Sequence, residues 1–127
     1  MIILGIDPGY GRLGYAVLRK EQGREKLIEA SCLETRAAEN RFKRIPELSE
    51  KLEKIISKHQ PDILAVEKVF FTKNQKTALE VAEIKGIVIY LGLKNKMAIT
   101  EYTPLEVKSA VCGYGKADKN QVKKMVK

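Results

Sequence analysis

Apolar residues in the first part of the chain fall into short runs. Ile2 to Asp7 (IILGID) is one, ending at Pro8-Gly9, and Leu13 to Arg19 (LGYAVLR) is the next, so a tight loop joins two strands. Glu21 to Glu25, with Gly23 inside it, turns the chain into Lys26 to Thr35 (KLIEASCLET), a third strand. Three strands with such short connections predict an antiparallel meander. The period then changes: from about Asn40 to His59, the residues Ile45, Leu48, Leu52, Ile55 and Ile56 recur at helical spacing, and Pro61 stops the helix. Pro46 either kinks this helix or sits in the first turn of a shorter one. Ile63 to Glu67 (ILAVE) reads as a fourth strand, buried on both faces by its composition. Gln75 to Leu93 reads as a second helix and Ala98 to Tyr102 as a fifth strand. Pro104 is placed to start a third helix through Val111, and Gly113-Tyr114-Gly115 then breaks the chain. A fourth amphipathic segment begins near Asp118, an acceptable N-cap, and is still helical in pattern at Lys127.

A meander followed by helix, strand, helix, strand, helix is a mixed α/β layout. Right-handed crossovers set strands four and five parallel to strand one, which gives the order 3-2-1-4-5. At 127 residues without repeats, low-complexity stretches or linkers, one domain over residues 1–127 with one core is expected.

This topology brings strands one and four side by side, with Asp7 ending one and Glu67 ending the other. Neighbouring strands lie about 4.8 Å apart, so both carboxylates can project from adjacent C-terminal edges to one point. In open α/β sheets that edge is where ligands bind. Alternation puts Gly5 on the face of Asp7 and Ala65 on the face of Glu67, leaving room for a bulky ligand. Two ionised carboxylates ~4 Å apart repel by about 4 kcal/mol at an effective dielectric of 20, so the pair calls for a cation or a shared proton. All-oxygen ligands select magnesium or manganese over zinc, and a pair of such ions can serve phosphodiester hydrolysis. Against this stands the plain reading of two unrelated charges at strand ends.

The remaining chemistry-bearing residues are less pointed. Gly9-Tyr10-Gly11-Arg12-Leu13-Gly14 matches a dinucleotide-binding spacing, but that motif must open a helix, and here a strand follows. Cys32 and Cys112 lack metal or disulfide spacing and read as buried small apolar residues of a reducing cytoplasm. His59 reads as a helix C-terminal residue. The formal charge of +8 favours a polyanionic partner, and five lysines against one acid in the last twelve residues sharpen it. No run of apolar residues is long enough to span a membrane and no secretory signal is visible, so a soluble protein is expected.

GIDPG around Asp7, the strand closing on Glu67 and running on as EKVFFTKN, and VKSAVCGYGKADKNQV from Val107 to Val122 resemble the RuvC-type Holliday-junction resolvases. The likeness covers essentially the whole chain. It implies an RNase H-like fold, a five-stranded mixed sheet with helices on both faces, in a homodimer of the bacterial cytoplasm. That dimer would nick two strands of like polarity across a four-way DNA junction during recombination and repair, alongside the RuvA-RuvB branch-migration complex. Asp7 and Glu67 fall on the family's first two metal-binding carboxylates, for Mg2+ or Mn2+, with two ions per active site in the complete protein. Lys108 and Lys119 match catalytic lysines near the scissile phosphate, where a fixed cation stabilises growing negative charge. Phe70 matches an aromatic residue that stacks on opened bases, with Phe71 beside it. Lys73, Lys76, Lys116 and Lys123 join them as nucleic-acid contacts. Ala78, Ala82 and Gly86 form a smooth stripe on the second helix, for dimerisation or for packing on the sheet.

The family places two further aspartates, three residues apart, on a last helix, and no acids of this chain match them. The expectation is a C-terminally truncated chain that binds metal weakly and cleaves poorly. A related nuclease acting on structured RNA, or a non-catalytic junction-binding module, are the alternative functions.

Overall fold

The computed structural model describes residues 1–9, 11–35, 40–68 and 75–102. Five strands and two helices follow one another in the order β1 (Ile2–Pro8), β2 (Arg12–Glu21), β3 (Arg24–Glu34), α1 (Arg41–His59), β4 (Ile63–Glu67), α2 (Gln75–Lys94) and β5 (Ala98–Tyr102). They form one sheet in the order β3-β2-β1-β4-β5. β1 runs antiparallel to β2 and parallel to β4, and β4 runs parallel to β5. The expected order and strand directions are therefore realised. The helix anticipated after Pro104 and the segment from Asp118 lie outside the described residues.

Local chemistry explains the connections. Gln22 and Gly23 both have positive φ, 49° and 76°, the geometry of the tight hairpin turns whose twist matches that of the strands. β2 and β3 are accordingly longer than the apolar pattern suggests, pairing up to Glu21 and Arg24. Opposite Val17 and Leu18 of β2 the register shifts, leaving Ile28 of β3 as an extra, exposed residue. Such a bulge twists an edge strand away from unwanted pairing.

The Asn40 side chain caps α1 by accepting a hydrogen bond from the Phe42 N–H at 2.9 Å. Gln60, left-handed at φ 47°, ends the helix by donating its N–H to the Ile56 carbonyl, ahead of Pro61. Because α1 starts at Arg41, Pro46 lies inside the helix rather than in the first turn of a shorter one.

Asp62 sets the register of the parallel strands. Its carboxylate accepts from the Ile2 N–H at 2.8 Å, its N–H donates to the Ile2 carbonyl at 2.8 Å, and its carbonyl accepts from the Ala98 N–H at 3.0 Å. One residue thus ties together the starts of β1, β4 and β5.

The core lies on one side of the sheet. Leu4, Ile6, Leu13, Val17, Leu64 and Val66 pack against Leu48, Leu52, Ile55 and Ile56 of α1 and Val88 and Leu91 of α2. Gly92 allows the close approach of α2, since a Cβ there would meet Leu64 Cδ2 at 2.7 Å and Ile99 Cδ1 at 2.8 Å. The other side carries Ile3, Gly5 and Asp7 of β1, Gly14 and Ala16 of β2, and Ala65 and Glu67 of β4, and neither described helix covers it. β4 therefore departs from the expectation of burial on both faces: Leu64 and Val66 are buried, whereas Ile63, Ala65 and Glu67 are only half-buried. Cys32 departs likewise, being exposed, because β3 is an edge strand. Cys112 lies outside the described residues. Among the described residues, no helix is long and apolar enough to cross a membrane.

Candidate active site

The register of β1 on β4 pairs Gly5 with Ala65 and Ile6 with Val66. One step further along both strands stand Asp7 and Glu67, so the parallel pairing sets them opposite each other on the face turned away from α1 and α2. The row continues sideways in both directions: Asp7 pairs with Gly14 of β2, Gly14 with Cys32 of β3, and Glu67 with Tyr102 of β5. Under the acids the floor is Gly5, Ala16 and Ala65, paired across three strands. Gly14 leaves the flank of Asp7 open, as a Cβ there would already stand 3.8 Å from Asp7 Cβ.

The loop that follows Asp7 is held by glycine. The Gly9 N–H donates to the Arg12 carbonyl at 2.8 Å, and Gly11 has φ +72°. A side chain at Gly9 would press its Cβ to 2.6 Å from the Arg12 carbonyl oxygen. The glycine spacing is thus that of a hairpin, and β2 follows it where a dinucleotide fold would require a helix.

Electrostatically the acids behave as a pair. Burial, a hydrogen bond with Asp7 and the negative charge of Asp7 push the Glu67 carboxyl up to about 7. Near neutral pH the Glu67 carboxyl is therefore partly protonated, the alternative to a bound cation. Tyr102 feels the same field: burial first, then the charges of Glu67 and Asp7, raise its phenol to about 12. It is therefore neutral across the working range. Tyr102 is not singled out by the sequence, where its place at the last position of β5 is the available signal; the register then levels it with Glu67.

The donor set fits a hard divalent cation: two neighbouring carboxylates, one exposed and one half-buried, the second held above its ordinary ionisation range by burial and by the first. Among the described residues no group of three or more His, Cys, Asp or Glu side chains gathers at one point. A shallow cleft lies between the hairpin and the helices, lined by Arg12, Thr35, Arg44 and Leu48 among others, and neither acid lines it. Phe70, Phe71, Lys73, Lys108, Lys116, Lys119 and Lys123 lie outside the described residues, as does the side chain of Lys76. His59 ends α1 as expected and there meets Glu29 of β3 at 2.7 Å, away from the acids. Of the small-residue stripe on α2, Ala78 is buried against the core whereas Ala82 and Gly86 are exposed.

A mixed sheet of this order with an acid pair at the ends of β1 and β4 defines an RNase H-like nuclease fold. The yeast mitochondrial Holliday junction resolvase Ydc2 shares that fold, with a TM-score of 0.69 at 17% identity, over 96% of this chain and 59% of its own. The model of the family described as "Crossover junction endodeoxyribonuclease RuvC" matches residues 3–127, and the chain belongs to that family. The RuvC protein of Caldicellulosiruptor saccharolyticus is 44% identical, over 100% of this chain and 77% of its own length. That of Desulforamulus reducens is 47% identical, over 100% of this chain and 78% of its own. The Thermus thermophilus RuvC solved in complex with a Holliday junction substrate superposes with a TM-score of 0.88 at 28% identity, over 99% of this chain and 77% of that one.

Proposed function

We propose that this chain is the nuclease domain of an endonuclease that resolves four-way DNA junctions by paired, symmetric, metal-dependent hydrolysis in recombination and repair. The observation that carries this reading is the register that sets Asp7 against Glu67 in a chain of the RuvC family. The Thermus relative's junction complex supports the substrate.

Asp7 and Glu67 would hold magnesium or manganese, two ions in the complete protein, which would supply Lewis-acid activation of water and charge neutralisation at the leaving oxygen. The chain does the rest. The low floor of Gly5, Ala16 and Ala65 admits the sugar-phosphate backbone to the acids. Lys108 and Lys119 set fixed positive charge against the phosphate undergoing attack. Phe70 and Phe71 stack on bases opened at the crossover, each contact worth about 1–3 kcal/mol, and Lys73, Lys76, Lys116 and Lys123 neutralise nearby phosphates.

Symmetric nicking needs two sites, and α2 offers the surface for a second copy. Leu79, Ala82, Gly86, Tyr90 and Leu93 recur at helical spacing and are exposed, Leu79, Tyr90 and Leu93 at 61, 62 and 61%. An apolar stripe of this kind, with a glycine at its middle, favours close helix pairing in a homodimer. The RuvA-RuvB complex would be the partner that delivers the junction, in a cytoplasmic setting.

A gel assay with a synthetic four-way junction, a linear duplex and an RNA–DNA hybrid, with and without magnesium, tests the reading. The expected result is paired nicking of the junction alone, slow for these 127 residues, and abolished in Glu67→Gln and Asp7→Asn while junction binding persists. Equal cutting of the RNA hybrid would transfer the function to structured RNA. Junction binding without cleavage at any metal concentration, even with the relatives' additional C-terminal length grafted on, would leave a binding module.

A further inference from the structure

Next to the acid pair, on the β5 side, stands a residue for which the proposed reaction has so far found no use. Tyr102 pairs in register with Glu67 across two parallel strands, so the two side chains leave the sheet on the same face, about 4.8 Å apart at the backbone. Its own backbone is fixed, because the Lys68 N–H donates to the Tyr102 carbonyl at 2.8 Å, immediately after Glu67. The preceding residue, Glu101, points to the other face and is held there by Lys85 of α2. The end of β5 is thus anchored on one face by the helix, and on the other carries the half-buried Tyr102 level with Glu67.

We propose that Tyr102 is a positioning residue for Glu67, its phenol O–H fixing the carboxylate in the orientation that binds metal. The inference rests on the reading of Asp7 and Glu67 as metal ligands. A carboxylate has more lone pairs than one ion uses, and a neutral donor standing level with it on the next strand is placed to fill one of them. A phenol does this without adding charge, and its ring closes the β5 side of the site against water. Such outer partners of metal ligands typically alter affinity or activity by about 10- to 100-fold when removed.

Manganese binding, followed by the loss of the free Mn2+ electron paramagnetic resonance signal, separates the possibilities. Tyr102→Phe keeps the ring and removes only the O–H. It is expected to bind Mn2+ about 10-fold more weakly, to need correspondingly more metal for half-maximal nicking, and to recover most of its rate at saturating metal, with unchanged junction affinity. Wild-type Mn2+ affinity in Tyr102→Phe overturns the proposal. So does loss of the fold in that variant, which would make the phenol a structural strut. Glu67→Gln is the separate control: if Mn2+ binding survives it, the acid pair is not the metal site and the underlying reading fails, whatever Tyr102→Phe does.

Discussion

At the scale of single residues, the acid pair costs the metal-free protein stability. Glu67 ionises near 4.5 when unfolded and near 7 when folded. Between those values the folded chain holds a proton that the unfolded chain releases, so stability falls as pH rises through the window and stays lower above it. Glu67→Gln removes the effect. In the presence of a chelator it should raise the melting temperature at pH 8 by about 4 °C or more, the equivalent of roughly 1 kcal/mol in a domain of this size, with little gain at pH 5. Thermal melts of both proteins at the two pH values check this, and an equal or lower melting temperature at pH 8 would mean that the carboxylates do not crowd. Glu29 contributes in the opposite sense. Its hydrogen bond with His59, and then the charge of Lys58, lower its carboxyl below the ordinary value, so its contribution is present above the unfolded value and lost as the solution is acidified.

At the scale of elements, placement of the acids is a matter of register, and register is fixed far from them. Asp62 lies five residues before Glu67 in the chain, and its side chain holds the N-terminal end of β1 against β4. Asp62→Ala leaves the Ile2 N–H without that partner and should cost about 1–2 kcal/mol, measurable as a lower denaturant midpoint. It should also weaken metal binding, since a loosened β1 no longer keeps Asp7 level with Glu67. Wild-type stability in that variant would show that the backbone pairing alone sets the register. The same contrast explains what the sequence disclosed. Hydrophobic runs and helical spacing placed β4 and β5 to the residue, and crossover handedness gave the strand order, because both are local or rule-bound. Strand ends gave Asp7 and Glu67. The pattern could not show that Cys32 faces solvent, since a residue's alternation does not say whether its strand lies at the sheet edge. Tyr102 was missed because an aromatic at a strand end reads as packing until the register levels it with Glu67. Ala82 and Gly86 separate from Ala78 only once the rotation of α2 is known.

At the scale of the whole molecule, two properties of the assembled protein follow from surfaces the fold leaves open. The exposed stripe of α2 predicts that Leu79→Glu combined with Tyr90→Glu converts a dimer to a monomer in sedimentation velocity. Because those side chains are exposed, the thermal stability of the subunit should change little. Paired nicking would then decay into single, uncoordinated nicks, whereas a wild type that is already monomeric on DNA would remove α2 from the argument. The second property concerns metal. The described residues bring only two carboxylates together, while a magnesium ion seeks six oxygen ligands and gives up its waters reluctantly. The curated relatives run longer than this chain, which spans 77% of the Caldicellulosiruptor protein. The family likeness puts two more aspartates on a helix that the 127 residues do not match. With only these two carboxylates to hold metal, the 127 residues should bind junctions but nick them slowly at millimolar magnesium. Adding a C-terminal segment with those aspartates should raise both metal affinity and rate, by well over 10-fold, with junction affinity nearly constant. Because binding draws on lysines and stacking, and cleavage on the completed carboxylate set, the two should separate cleanly in one titration. Rapid nicking by the 127 residues alone would mean instead that Asp7, Glu67 and the substrate phosphate suffice to hold the ions, and that the site needs no further protein ligand.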